Sequence, residues 1–252
     1  RSVSLGRPLA VNPAPDNPHP VNHYTKVETD KVSGHAVDYL GIYQHGFTVT
    51  HIDALCHNWD NDGMWDGRNP LEEITSDGSN YGSVSEWRGG IVTRGVLLDV
   101  PAYRGTSYVT VDRPVHGWEL KEITSRQKVE LQPGDALVVY GGRDAYSVDN
   151  PDAFVDGADL PGLHASCLPF IRNYDIAVLA WDVLDATPTE YSLSNPVHAA
   201  MYSYGVAILD NCYLEALVRA CVEEGRYEFM LMVSPLIIIG GTGSPVNPIA
   251  IF

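Results

Sequence analysis

A carboxylate between two imidazoles opens the chemistry of this chain: His51, Asp53 and His57 stand at spacings of two and four within Thr50-His51-Ile52-Asp53-Ala54-Leu55-Cys56-His57. In an extended segment side chains alternate faces, so His51 and Asp53 point the same way, and His57 joins them if the strand continues. Neutral imidazole nitrogens with a carboxylate oxygen suit Zn²⁺, Mn²⁺ or Fe²⁺, and three convergent ligands leave room for a water. The chemistry implied is metal-activated water. The same residues could also be ordinary surface or core histidines, with Asp53 capping a turn. A site is favoured by the next residues, Asn58-Trp59-Asp60-Asn61-Asp62-Gly63, a turn-forming stretch where a strand runs out into a loop. Alternation turns Cys56 to the opposite face, where packing is expected of it.

One motif strand needs further ligands from elsewhere. His198 follows Asn195-Pro196-Val197 and is placed to open a helix, and Asp210 closes an apolar strand, where open α/β sheets carry functional groups. An Asp in that place can equally cap the next helix. Asp182 and Asp185 stand in the same relation to the strand ending at Trp181, and His164 lies on the expected helix before it; these could approach the same pocket or be structural. Trp59, Met64 and Trp65 gather in one short polar loop, either as an aromatic-binding wall or as simple packing. His19, His23 and His35 have nothing at ligand spacing and read as surface residues. Other chemistries lack their motifs: there is no G-x-S-x-G elbow and no phosphate loop, and Gly240-Gly241-Thr242-Gly243 precedes Pro245 instead of a helix.

The elements that must position these groups read as one mixed α/β domain over residues 1–252. The chain has 252 residues, 44% hydrophobic and 19% charged, the composition of a folded protein with a full core. Sixteen basic against thirty-two acidic residues give a net charge of -16, which disfavours nucleic acid and anionic membranes and leaves a small molecule as the expected partner. With no long apolar run and no secretory segment, a cytoplasmic location is expected. Four cysteines without a C-x-x-C pair point to buried, reduced thiols. Residues 1–35, rich in Pro and Asn, predict an arm wrapping over the body, and 36–43 a strand leading into the motif. Strands are predicted at 91–100, 136–140, 175–181, 205–210 and 229–233, with helices at 117–129, from Leu160 through Ile171, and at 213–223.

Taken together, several of these pieces look familiar. Thr50-His51-Ile52-Asp53 with His57, the 90–100 strand, Leu163-His164-Ala165-Ser166-Cys167-Leu168-Pro169, Pro196-Val197-His198 and Gly241-Thr242-Gly243-Ser244-Pro245-Val246-Asn247-Pro248 resemble the putative cyclase family, which includes bacterial kynurenine formamidase and isatin hydrolase. The likeness covers most of the chain. Set against the family's H-x-x-x-H-x-D-x-P-x-H, His51 and Asp53 match metal ligands and His57 the final histidine, while Phe47 stands at the first histidine and Leu55 at the proline. His45 is two residues too early to replace that histidine without a different local path. In the formamidases a distant histidine and a glutamate twelve residues later complete a second position; His198 and Asp210 have that spacing, with Asp for Glu.

The resemblance implies a swivelling β/β/α fold, assembly as a homodimer or homotetramer, and one divalent ion, Zn or Mn, held by His51, Asp53, His198 and Asp210. His57 would be the catalytic acid/base, with Trp59, Trp65, Phe47 and His164 against the substrate. The activity expected is hydrolysis of an amide, lactam or lactone in a small aromatic or cyclic molecule. The alternatives are a cyclase or dehydratase acting on a small carbonyl compound, and a binding protein of the same fold whose chemistry has decayed, to which Phe47 points.

Overall fold

Nine strands join into one mixed sheet in the computed structural model, which describes residues 1–252. In chain order, β1 (Ser2–Ser4), the hairpin β2 (Asn22–Thr29) and β3 (Gly34–Gly41), and β4 (His51–Asp53) come first. The loop beyond them holds α1 (Pro70–Glu73), β5 (Ile74–Thr75) and β6 (Gly78–Ser79). The middle of the chain runs β7 (Ile91–Asp99), α2 (Val100–Arg104), α3 (Gly117–Gln127), β8 (Ala136–Tyr140), α4 (Arg143–Asp149), β9 (Gly162–Leu163) and α5 (Cys167–Asn173). It ends with β10 (Val178–Trp181), β11 (Leu184–Asp185), α6 (Ala199–Tyr204), β12 (Ala207–Asp210), α7 (Glu215–Glu224), β13 (Glu228–Val233), β14 (Gly243–Pro245) and β15 (Ile249–Ile251).

The sheet order is β1-β15-β13-β7-β8-β10-β12-β4-β14. Its centre, β7-β8-β10-β12, is parallel, and every flanking pairing is antiparallel. Strands covered on both faces read as continuous apolar runs, which is why the second half of β7 and nearly all of β8 are buried. Alternation sends Val96, Leu98, Leu137 and Val139 into one core, and Leu97, Ala136 and Val138 into the other. The first core lies under α3 and α5, which pack on each other; α7 and β1 close the second.

Several expectations change. The N-terminal region is not a plain wrap: β1 pairs with β15 at the sheet edge, Leu5 is fully buried, and Asn22–Gly41 leaves the body as a ribbon. Every position of β2 and all but the last of β3 are exposed, with Tyr24 stacked on Tyr39 at 5.0 Å. The helix expected from Leu160 starts only at Cys167, because Gly162 and Leu163 pair with Leu184 and Asp185 instead. That pairing needs glycine: a Cβ at Gly162 would stand 2.0 Å from the Leu184 carbonyl. All four cysteines are free and buried.

The register sets the site. In the antiparallel pairing of β4 with β12, His51 lies opposite Asp210, and Asp53 lies opposite Ile208. A strand from early in the chain thus brings its imidazole to the carboxyl end of a late one.

Candidate metal centre

His51 and Asp53 project from the same face of β4, as alternation requires, and both are buried. His51 Nδ1 bonds the Val49 carbonyl at 2.8 Å, which fixes the tautomer and leaves Nε2 for the site. Nε2 lies 3.2 Å from Asp53 Oδ1 and 3.9 Å from Asp210 Oδ2. His198, at the start of α6, is held in the same way: its Nδ1 bonds Asp185 Oδ2, and its Nε2 faces Asp210 Oδ2 at 3.3 Å and Asp53 Oδ2 at 3.7 Å. Asp210 therefore turns toward the cluster and does not cap α7, which begins five residues later.

His57 arrives by a different route from the one expected. The strand stops at Asp53, and a turn closed by the His57 N–H on the Ala54 carbonyl, 2.8 Å, brings the ring back to 3.9 Å from Asp53 Oδ1. His45 joins it, with Nδ1 3.0 Å from Asp53 Oδ1, Nε2 3.1 Å from Thr242 Oγ1, and its ring stacked on His57 at 3.7 Å. The chain between Gly41 and His51 has no regular structure, and Gly46 sits at φ 153°, so the local path that sequence spacing argued against is the one taken. Phe47, the residue in register with the family's first histidine, instead packs near Phe154 at 6.3 Å and borders the first core. His45, two residues earlier, brings an imidazole to the cluster by that different path.

The donors form two groups that share Asp53: His51, Asp53 and Asp210 on one side, His45, Asp53 and His57 on the other. Tetrahedral donors with bonds of about 2.0–2.2 Å lie roughly 3.4 Å apart, close to the separations here. Asp53 Oδ1 and His45 Nδ1 are buried without a hydrogen-bond partner, so the close approaches around Asp53 are not a satisfied hydrogen-bond network. A cation answers that deficit, and the donor set fits one.

The electrostatics agree. Burial opposes ionisation of Asp53, but His57 and His51 hold its carboxyl well below the usual range. Burial likewise works against protonated His51, yet Asp53 and Asp210 raise it to about 9; Asp185 and Asp210 raise His198 in the same way. Without a cation the carboxylates keep protons on these two rings, and a divalent ion would stand in for those protons. His57 goes the other way: burial, together with the neighbouring imidazoles, pushes it down to about 4, so it is neutral near pH 7.

The remaining expected residues lie elsewhere or at the margin. His164 bonds Glu190 at 2.9 Å, accepts the Ser166 N–H, and packs on His116, contacts that belong to the α3–α5 side. Trp59 is about half exposed in the loop after His57, and Trp65 lies across Gly205 at the end of α6. Asp182 accepts N–H bonds from Gly141, Gly142, Arg143 and Val183, a structural role. A cavity of about 210 Å³ has His45, Phe47, His19, Tyr43 and Asp16 in its wall. Sequence reading missed His45, Trp181 and Thr242 as members of the site. Asp185, which the sequence offered as a candidate from its place at a strand end, reaches the site through His198.

The family model described as Putative cyclase matches residues 5–187. Among solved structures, the crystal structure of a novel cyclase superposes with a TM-score of 0.85 at 26% identity, over 100% of this chain and 87% of that one. Isatin hydrolase A from Labrenzia aggregata bound to benzyl benzoate gives 0.65 at 18% identity, over 99% and 93%. An isatin hydrolase bound to the product analogue thioisatinate gives 0.65 at 18%, over 99% and 91%. A search of curated proteins finds no match.

Proposed function

The chain belongs to the Putative cyclase family, and from that premise we propose that it is a metal-dependent hydrolase opening an amide, lactam or lactone bond in a small aromatic or cyclic substrate. The observation that carries the reading is the convergence of His51, Asp53, His198 and Asp210, all buried, with Asp53 Oδ1 left without a hydrogen-bond partner. These four residues would hold one divalent transition ion, Zn²⁺ or Mn²⁺. Such an ion supplies a water of lowered pKa and a polarised carbonyl.

The chain's own groups do the rest. His57, neutral and beside Asp53, takes a proton on an imidazole nitrogen as water adds and returns it to the leaving nitrogen or oxygen. Asp53 and the stacked His45 orient that ring. Phe47 and Tyr43, in the wall of the cavity that His45 borders, offer apolar surface to a ring-bearing substrate. Trp59 and Trp65 belong to the same proposal as residues of the loop beyond His57.

Elemental analysis of the purified protein is expected to give one transition ion per chain, and His45→Ala is expected to keep it. Incubation with N-formylanilines, lactones and cyclic imides is expected to yield products heavier by one water. A product lighter by one water would replace hydrolysis with cyclisation or dehydration. Absence of a stoichiometric ion, or a His51→Ala protein retaining both ion and turnover, would overturn the reading.

Assembly as a homodimer or homotetramer is part of the proposal. A two-stranded ribbon exposed on both faces is marginal in water, and a second copy is the partner always at hand. The intact chain is expected to sediment as an oligomer, and Tyr24→Ser/Tyr39→Ser to shift it toward monomer. A monomeric native chain would remove this part. No helix is long and apolar enough to cross a membrane.

A further inference from the structure

Asp210 gives its two carboxylate oxygens to different neighbours. Oδ2 faces the imidazoles, 3.3 Å from His198 Nε2 and 3.9 Å from His51 Nε2. Oδ1 accepts the indole N–H of Trp181. The sheet imposes this bond: β10 and β12 run parallel with Ala180 beside Leu209, so Trp181 and Asp210 follow as neighbours at the strand ends. Trp181 is fully buried, and its ring also lies 5.4 Å from that of His198.

An indole N–H only donates, and a buried one is costly to leave unpaired. Oδ1 is therefore engaged by the protein, and Oδ2 is the oxygen left for coordination. Resting on the metal-centre reading above, we propose that Trp181 is a positioning residue that holds Asp210 to single-oxygen coordination and biases the centre toward Zn²⁺ over Mn²⁺. Zn²⁺ is content with four ligands at tetrahedral angles, whereas Mn²⁺ prefers more oxygen donors in octahedral arrangement. Freeing Oδ1 gives the centre one more oxygen. Aspartate, a methylene shorter than glutamate, has less reach for choosing its own geometry, which makes an outside tether more decisive.

The test uses chelator-stripped protein titrated with ZnCl₂ and, separately, MnCl₂ by calorimetry. Loss of a residue that orients a ligand shifts metal affinity by about 10–100-fold. In Trp181→Phe the ratio of the Mn²⁺ to the Zn²⁺ dissociation constant is expected to fall by about tenfold or more relative to the native chain. A ratio that stays unchanged, including an equal loss for both ions, overturns the proposal, because a merely structural role weakens both alike.

Should Trp181→Phe fail to fold, judged by circular dichroism, the native chain labelled with ¹⁵N-tryptophan decides. The Trp181 indole N–H is expected to stay protected from solvent exchange in the stripped and the Zn²⁺-loaded protein. Loss of that protection on Zn²⁺ loading overturns the tether. A native chain that binds neither ion overturns the metal-centre reading and this inference with it, an outcome distinct from binding with an unaltered ratio.

Discussion

Replacing Asp53 with asparagine is expected to strip the protein of its transition ion while leaving the fold in place. Asp53 belongs to both donor groups, with Oδ1 3.0 Å from His45 and 3.2 Å from His51, and Oδ2 3.7 Å from His198. Asparagine keeps the shape and removes the negative charge that draws positive charge into this buried place. Substituting residues that merely orient ligands costs about 10–100-fold in metal affinity, so losing the shared ligand is expected to exceed 100-fold and take turnover below detection. Elemental analysis after dialysis against a weak chelator reads the first effect, and circular dichroism verifies the fold. A stoichiometric ion surviving in Asp53→Asn would mean that the ion sits elsewhere.

The second large effect is expected at Arg143, a buried cation outside the cluster. Its guanidinium donates to the carbonyls of Phe47 and Asp182 and to the Asn211 side chain, and lies 3.9 Å over the Phe154 ring. Asn211 in turn donates to the carbonyls of Gly46 and Val49. Arg143 is thus the post against which the loop carrying His45 and leading to His51 leans.

A buried polar group left unpaired costs about 1–3 kcal/mol, so Arg143→Met, which strips the Phe47 and Asp182 carbonyls and the Asn211 side chain of their donor, is expected to lose at least that much in urea unfolding and to bind metal more weakly. Arg104→Met is the control. Arg104 and Glu119 form an equally buried pair, 2.6 Å apart, that makes no contact with the metal cluster. It is expected to lose comparable stability with metal affinity intact. Equal loss of affinity in both variants would reduce the Arg143 effect to general loosening.

Much of this was legible in the sequence, and the reasons differ by residue. The β7, β8, β10, β12 and β13 strands and helices α3 and α7 carry their own periodicity, so they stand close to where the pattern put them. His51 and Asp53 follow from strand alternation alone. His57 reaches the cluster through a turn, so sequence spacing points to the right residue for a partly wrong geometric reason. The exposed ribbon is half legible: β3 reads as a strand, but β2 sits in a stretch whose composition suggests only irregular wrapping. His45 was illegible because its path depends on Gly46 and on tertiary anchors such as Asn211, 165 positions away. Trp181 was hidden differently: its partner is set by neighbouring strands, and no local spacing encodes that adjacency. His164 stood in a recognisable motif, yet the early stop of β9 and its pairing with β11 leave it on Glu190 and His116.

The position of β4 between β12 and β14 carries a consequence for biosynthesis. Its two partners are made long after it, so a chain emerging from the ribosome holds His51 and Asp53 on an orphan segment with nothing to pair against. The candidate ion-binding constellation cannot close until Asp210 has been translated, and β4 gains its second strand partner only with Gly243–Pro245. Capture of the proposed ion therefore waits on the late strand β12, and a product stalled before it carries His51 and Asp53 without the means to hold a cation.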